Sequence, residues 1–526
     1  MSVYSKDRAR KSLIDTIAFR VVSQLATVLG YIVLVRAIPK EDFGVFNLFY
    51  AFIPVVSTVA SFGLEQVLRR YQPEYLRAGN VTGAAWLLRT VTSMRFAANV
   101  VVVLGILLGW KYVAPLFQLA PYRAEFAVFS LLLLFHFQTT ILQFSLSSHM
   151  LHRFGVGSMA LTSIGKLVMY CLWWKFDTLT LDKAIMSDIF GYVVGYCALK
   201  YAHMKYCPSP PDTSSYKPPP EERKRLVRYG LFNNFNDAGS LLLGTKTDNF
   251  YIAAFLDAVS VGVYSFYTRL TELMNNVLPV RLFENVVNPL FFAIKPADAP
   301  QRTPQYFSLL LNLNLLLQWP ILAFSLVYHH DIVQVVFAGK FVEYSWLLPL
   351  TLVFATLNVV SVPVTLVAQY QEKAGIILLS KIFAVYNVIA LLTLLPLAGI
   401  YGAAMASGSA QAIKNFFIWW HVRGLAVWTN VGPALLSVLV IWGGAVAICS
   451  VVHHMVPLGP LLQMVVGVMV FVVAGLIYLR SPALSTSDRE ILGSVMRGKE
   501  SVLLRRIGLL RAAPVPAVAT AASESK

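Results

Sequence analysis

Nine lysines and arginines stand inside long apolar stretches: Arg20, Arg89, Arg95, Lys166, Lys246, Arg269, Arg281, Lys381 and Lys414. A cation at the centre of a hydrocarbon layer costs roughly 2.5–3.5 kcal/mol even on a lenient insertion scale. Arg89, Arg281, Lys381 and Lys414 lie within about two turns of a segment end and can carry their charge to the interface along a flexible stem. Arg95, Lys166, Lys246 and Arg269 lie roughly 15 Å deep, and Arg20 roughly 12 Å, at 1.5 Å per residue. Cations at that depth either line a polar cavity that receives an anion or pair with carboxylates. An arginine fork suits phosphate. The acids within reach are Asp15, Asp188, Asp237, Asp248, Glu272 and Glu284. Lys246 and Asp248 are two apart and point to different faces of one helix, whereas Arg269 and Glu272 are three apart and can pair. Positive charge remains in excess even with every acid paired. The expectation is therefore a cation-lined cavity for an anionic passenger, built from Arg20, Arg95, Lys166, Lys246 and Arg269.

Other chemistry is scarce. The chain has no phosphate-binding GxxxxGK[ST] loop, no HExxH, no GxSxG and no DxD pair. The four cysteines, Cys171, Cys197, Cys207 and Cys449, form no CxxC pair and give neither a disulfide framework nor a zinc site. His329–His330 and His453–His454 are adjacent pairs whose side chains diverge, so no metal site is expected. Nothing points to an enzyme, and no bound cofactor is expected.

The elements that must hold these cations are membrane helices. Of 526 residues, 57% are hydrophobic and 13% charged. Soluble domains carry about 25% charged residues. Fourteen candidate transmembrane helices follow from the apolar runs: 13–37, 44–68, 84–110, 124–150, 155–175, 183–204, 229–255, 260–290, 305–328, 344–370, 375–397, 400–421, 431–453 and 458–479. With the N-terminus inside, 27 cations fall on inner loops and tails against seven outside, which supports cytoplasmic termini. The net charge of +17 is thus mostly an orientation signal and not a nucleic-acid footprint. Eight of the ten tryptophans fall near segment ends, leaving Trp319 and Trp442 apart. Pro54, Pro279, Pro320, Pro363 and Pro396 lie inside segments, where bends can open backbone groups to a cavity.

The domain reading is an N-terminal lobe over 1–204, a proline-rich linker over 205–228, a second lobe over 229–422, two extra helices over 423–480 and a basic tail over 481–526. Within the tail, 487–511 is expected to form a basic surface helix and 512–526 to be disordered. A repeat relates the halves. Phe43-Gly44-Val45-Phe46-Asn47-Leu48-Phe49-Tyr50 enters the second segment of the first half, and Val261-Gly262-Val263-Tyr264-Ser265-Phe266-Tyr267 enters the second segment of the other. Both segments run the same way, so the repeat is parallel, as in transporters.

Several short motifs carry a resemblance. Leu34-Val35-Arg36-Ala37-Ile38-Pro39-Lys40-Glu41-Asp42-Phe43-Gly44 resembles the turn after the first helix of bacterial polysaccharide exporters of the MOP superfamily. Gly63-Leu64-Glu65 with Arg69-Arg70-Tyr71 resembles the end of their second helix. Tyr229-Gly230-Leu231, Thr247-Asp248 and Val261-Gly262-Val263-Tyr264 resemble the start of their second half, and Gly399-Ile400-Tyr401-Gly402-Ala403-Ala404 the entry to their twelfth helix. The resemblance implies an all-α, MATE-like fold of two six-helix lobes around a central cavity, with two further helices. It also implies flipping of a lipid-linked sugar, as by Wzx-type O-antigen flippases and the related lipid II flippases. Lipid II flippases use cavity arginines on helices 1, 2 and 8. Arg20 and Arg269 match by helix, the second helix has no mid-helix arginine, and Arg95 and Lys166 are its expected replacements. That departure favours a polysaccharide-repeat flippase.

The implied passenger is an oligosaccharide on an undecaprenyl-diphosphate type carrier, moved by alternating access across the bacterial inner membrane for O-antigen, capsule or exopolysaccharide. Tyr50 and Tyr267 are the expected sugar-stacking residues, and Asp248 and Glu272 the expected ion-coupling ones, using a proton or sodium gradient. Membrane lipids, a polysaccharide polymerase and chain-length machinery are the expected partners. The rivals are a multidrug or small-solute antiporter of the same fold, a membrane sugar polymerase or ligase, and a non-transporting scaffold. A polymerase or ligase calls for a large outer loop, and the longest here is about 15 residues.

Overall fold

The computed structural model describes residues 6–207, 216–276, 291, 294 and 296–495, with side chains from residue 18 to residue 492. Arg281, Pro279, Glu284, the side chain of Asp15, Lys295, the linker prolines 208, 210 and 211, and the tail from 496 lie outside the described residues. All described secondary structure is helical. Ten helical stretches among the described residues are long and apolar enough to cross a bilayer, so the chain is a multi-pass membrane protein. The stretch 374–422 turns at Gly399 (φ 56°, ψ −140°), between the expected segments 375–397 and 400–421. Leu181–Tyr206 is helical but is not among the ten; it carries Asp182, Lys183, Asp188, Lys200 and Lys205.

The chain divides into two compact units. The first holds residues 1–273, 336–347 and 381–411, and the second 274–335, 348–380 and 412–526. In the first unit the helices are α1 (Lys6–Ala37), α2 (Lys40–Ser61), α3 (Leu64–Arg77), α4 (Val81–Leu108), α5 (Trp110–Val113), α6 (Arg123–Ser148), α7 (His152–Lys175), α8 (Leu181–Tyr206), α9 (Pro220–Leu241), α10 (Thr245–Phe255) and α11 (Ala258–Asn275). α1 lies along α7, α7 against α8, and α6 against α8, while α2 touches α4, α8, α9 and α10.

Two expected segments are broken. The segment 44–68 stops at Ser61, passes through Phe62 (φ 47°) and Gly63 (φ 70°) in the left-handed region, and restarts as α3. At Gly63 a Cβ would stand 1.8 Å from the Gly230 carbonyl oxygen, so the break lets two backbones touch. The segment 229–255 breaks over residues 242–244 into α9 and α10. At the other end of α2, a Cβ on Gly44 would stand 1.7 Å from the Ala258 carbonyl oxygen, and one on Gly262 would meet the Gly44 backbone at 3.2 Å. The two glycines of the sequence repeat therefore pack against one another.

The second unit has a core of Phe307, Leu310, Leu311, Val364, Val367, Ile418 and Val422. A π-helical turn at Val438–Trp442 brings Trp442 inward against Phe471, which accounts for a tryptophan away from the interface. The described start of the tail, Thr486–Val495, is a helix fastened by its cap. Asp488 is buried and accepts from Asn312 Nδ2 at 2.9 Å and from the Ser485 backbone N–H at 3.0 Å. This part of the expected 487–511 surface helix is therefore docked on protein.

Candidate functional site

The deep cations of the first unit meet carboxylates. Arg95 is wholly buried; its Nη2 stands 3.2 Å from Glu65, and its guanidinium donates to the Ser57 carbonyl at 2.9 Å and to Ser57 Oγ at 3.1 Å. The face of Phe137 covers the guanidinium at 4.5 Å. Lys166 stands 3.2 Å from Asp188. Asp188 also accepts from Tyr170 Oη at 2.5 Å and from Tyr50 Oη. Arg269 donates to Glu272 at 3.0 Å, the i,i+3 pair expected from spacing, and Lys246 approaches the same carboxylate at 3.9 Å. Four cations thus share three carboxylates, and the surplus positive charge sits at Lys246–Arg269–Glu272, where each side chain is about a third exposed.

Asp248 points away from Lys246, as their spacing requires. It is wholly buried and accepts from Tyr264 Oη at 2.5 Å and Ser407 Oγ at 2.6 Å on one oxygen. Its other oxygen receives no hydrogen bond from the described residues.

A cavity of about 320 Å³ opens beside α2. Pro54, Ser57, Thr58 and Ser61 of α2 form one wall, Glu65 of α3 and Asp237 and Ser240 of α9 another, and Lys246 and Thr247 of α10 the rest. Lys381 reaches Ser240 Oγ at 2.6 Å. Pro54 lies inside α2 at this wall.

The sequence-derived residues distribute unevenly around this cavity. Lys246 lines it, and Arg95 reaches it through Glu65 and Ser57. Arg20 is exposed on α1, and neither it nor Arg269 is on the cavity wall. Tyr50 is held by Asp188, with Lys166 5.8 Å from its ring. Tyr267 is wholly buried, donates to the Phe341 carbonyl at 2.8 Å and packs on Phe266. It presents no face to a sugar. Four of the five expected cavity cations stand in ion pairs, because Glu65, Asp188 and Glu272 reach them across helix contacts or along one turn. Glu65, Asp237, Tyr170, Tyr264 and Ser407 complete these networks. Asp237 was visible as a deep acid; the hydroxyl partners gave no sequence signal.

At the turn between α1 and α2 the chain holds the loop 336–344. Arg36 Nε donates to the Val336 carbonyl at 2.8 Å, Lys40 pairs with Glu343 at 2.8 Å, and Lys340 donates to the Ile38 carbonyl. Burial, with Lys40 nearby, pushes the Lys340 ammonium down to about 8, from 10.5. Between those pH values the unfolded chain binds more protons than the folded one, so this residue's contribution to stability rises with pH. Thermal unfolding from pH 7.5 to 10.5 should show the unsubstituted chain gaining on Lys340→Met as pH rises; parallel profiles would exclude the effect.

Residues 10–295 match the family described as "Polysaccharide biosynthesis protein". No curated protein matches the chain by sequence. Among solved structures, the lipid II flippase MurJ in an inward closed conformation aligns with a TM-score of 0.61 at 13% identity, over 89% of this chain and 98% of that one. An inward-facing multidrug resistance MATE family transporter of the MOP superfamily aligns with a TM-score of 0.62 at 14% identity, over 79% and 98%. Its outward-facing counterpart gives 0.51 at 14% identity, over 80% and 99%. These likenesses establish a MATE/MurJ-like fold. With more than half of its length matched by one family, this chain belongs to the polysaccharide biosynthesis protein family.

Proposed function

We propose that the protein is a flippase that moves a lipid-diphosphate-linked oligosaccharide from the cytoplasmic to the outer leaflet of the bacterial inner membrane, for polysaccharide assembly. Membership of the polysaccharide family supports the passenger class. The observation that carries the reading to residues is Lys246 on the cavity wall, which shares the carboxylate Glu272 with Arg269 behind it. A diphosphate arriving there exchanges a half-satisfied ammonium for charge-assisted bonds. Arg95, already neutralised, braces the wall through Glu65 and Ser57, Lys166 is neutralised by Asp188, and Arg20, exposed on α1, meets the passenger. The hydroxyls of Ser57, Thr58, Ser61 and Thr247 offer hydrogen bonds to sugar. Tyr50 is the remaining stacking residue.

Energy comes from a proton or sodium gradient, with Asp248 and Glu272 as coupling residues. The unbonded oxygen of Asp248 can take a proton or a cation. The carrier is of the undecaprenyl-diphosphate type, and polymerase and chain-length machinery act downstream.

Replacing both Lys246 and Arg269 by alanine should cut export about tenfold or more, the effect of losing roughly 1.4 kcal/mol or more from the rate-limiting step. Lipid-linked intermediates should accumulate on the inner face at unchanged protein level. Asp248→Asn should lower export in the same assay by breaking coupling. Export at normal rates in the double variant would overturn the site.

One observation favours a second reading. Glu65 and Asp237 face the same cavity, and two carboxylates suit an organic cation, as a multidrug antiporter of this fold would carry. Cells lacking the protein would then lose resistance to cationic dyes while their lipid-linked intermediates stayed normal.

A further inference from the structure

A second hollow, of about 530 Å³, lies along α3, lined by Arg69, Arg70, Pro73, Glu74 and Arg77 together with Arg225 of α9. Its lining carries four arginines and one carboxylate. A positive-inside bias alone needs cations on the loops but not cations gathered around one hollow.

Three of the four arginines are held in place by neighbours. Arg225 forks onto Glu74 at 3.3 and 3.5 Å and covers the Tyr71 ring at 5.0 Å. Arg70 shares that carboxylate at 3.3 Å, and Arg69 lies 5.1 Å from the Phe144 ring. Glu74 is thus spent on two guanidinia, leaving a net surplus of positive charge with planar donors already oriented. The size falls in the range of small-ligand sites, roughly 300–1,000 Å³.

Position gives the hollow a use. Glu65, Arg69, Pro73 and Arg77 recur every fourth residue and form one gently winding stripe of α3. Arg69 is one turn, roughly 6 Å along the axis, from Glu65 on the wall of the first cavity.

We propose that this arginine cup binds the diphosphate group of a membrane lipid and is the station from which the headgroup passes along α3 to the first cavity. The station role rests on the flippase reading; the diphosphate site does not. Each guanidinium fork pairs with the oxygens of one phosphoryl group. A diphosphate brings two such groups and more negative charge than the single group of a phosphodiester, which suits several arginines gathered at one hollow.

The test uses the full chain in phosphatidylcholine nanodiscs, titrated calorimetrically with farnesyl diphosphate, inorganic pyrophosphate or inorganic phosphate. Farnesyl diphosphate should bind saturably, and more tightly than pyrophosphate or phosphate. Arg69→Gln/Arg77→Gln should weaken it about tenfold or more, as loss of two charge-assisted contacts requires. Arg423→Gln, which removes a cation elsewhere, should leave it unchanged, and Arg69→Lys/Arg77→Lys should recover part of the loss.

Equal loss in the Arg423 variant would overturn the site. Equal affinity for farnesyl diphosphate and pyrophosphate would assign it to a free diphosphate and overturn the lipid. Displacement of farnesyl diphosphate by phosphatidylglycerol in the disc would make it a general anionic-lipid contact and overturn the diphosphate preference. Normal export by the glutamine variant would overturn the station role. If instead the Lys246/Arg269 variant exports normally while the cup still binds, the flippase site falls and the cup stands.

Discussion

Glu65→Ala should destabilise the protein by about 3–5 kcal/mol, the usual cost of stripping one partner from a buried ion pair. Arg95 has no exposure at all, and without Glu65 it keeps only Ser57 and the face of Phe137. A guanidinium cannot escape by losing its proton, so the charge stays buried. Arg95→Ala should cost less, because Glu65 lines the cavity, is partly exposed, and can neutralise itself by taking up a proton. The double variant Glu65→Leu/Arg95→Met removes both charges and should recover much of the loss. Thermal unfolding of the detergent-solubilised chain measures all three. If the double variant is as unstable as the sum of the singles, the pair is not the coupled unit described.

Gly44→Ala should be strongly destabilising. Its Cβ would fall 1.7 Å from the Ala258 carbonyl oxygen, well inside contact distance, and the obstacle is backbone. The start of α2 must back away from α11, breaking the contact between the repeated glycines. Overpacking of this kind costs about 1–3 kcal/mol where side chains can yield, and more where only helices can move. Gly262→Ala meets backbone at 3.2–3.3 Å and should be milder, and Gly105→Ala meets nothing within 4 Å and should be neutral. Folded yield and thermal stability should fall in the order Gly105, Gly262, Gly44. A neutral Gly44→Ala would mean that the two helix entries do not touch.

The ten stretches that are long and apolar enough to cross a bilayer were legible because each is an apolar run, and hydrophobic length is a property of the chain alone. The break at Phe62–Gly63 was not. Leu64 to Arg77 reads as helix continuing from α2, and only the approach of Gly230 gives the left-handed pair a purpose. Among the ion pairs, Arg269 with Glu272 was readable from i,i+3 spacing. Arg95 with Glu65 and Lys166 with Asp188 join different helices, so packing alone brings them together. The burial of Tyr267 was not readable either: it and Tyr50 do not occupy matching register positions after their glycines, and its face of α11 turns into the core.

The glycine crossings at the two ends of α2 bear on how fast a carrier built this way can work. Contacts made by interdigitated side chains must be unpicked and each rotamer found again on closing. Gly44 on Ala258 and Gly262, and Gly63 on Gly230, meet as bare backbone. Parting them forfeits only a few weak dispersion contacts, each about 0.1–0.2 kcal/mol, and re-forming them requires no side-chain search. On the flippase reading proposed above, turnover would then be governed by what the passenger does to the helices and little by friction in the joints.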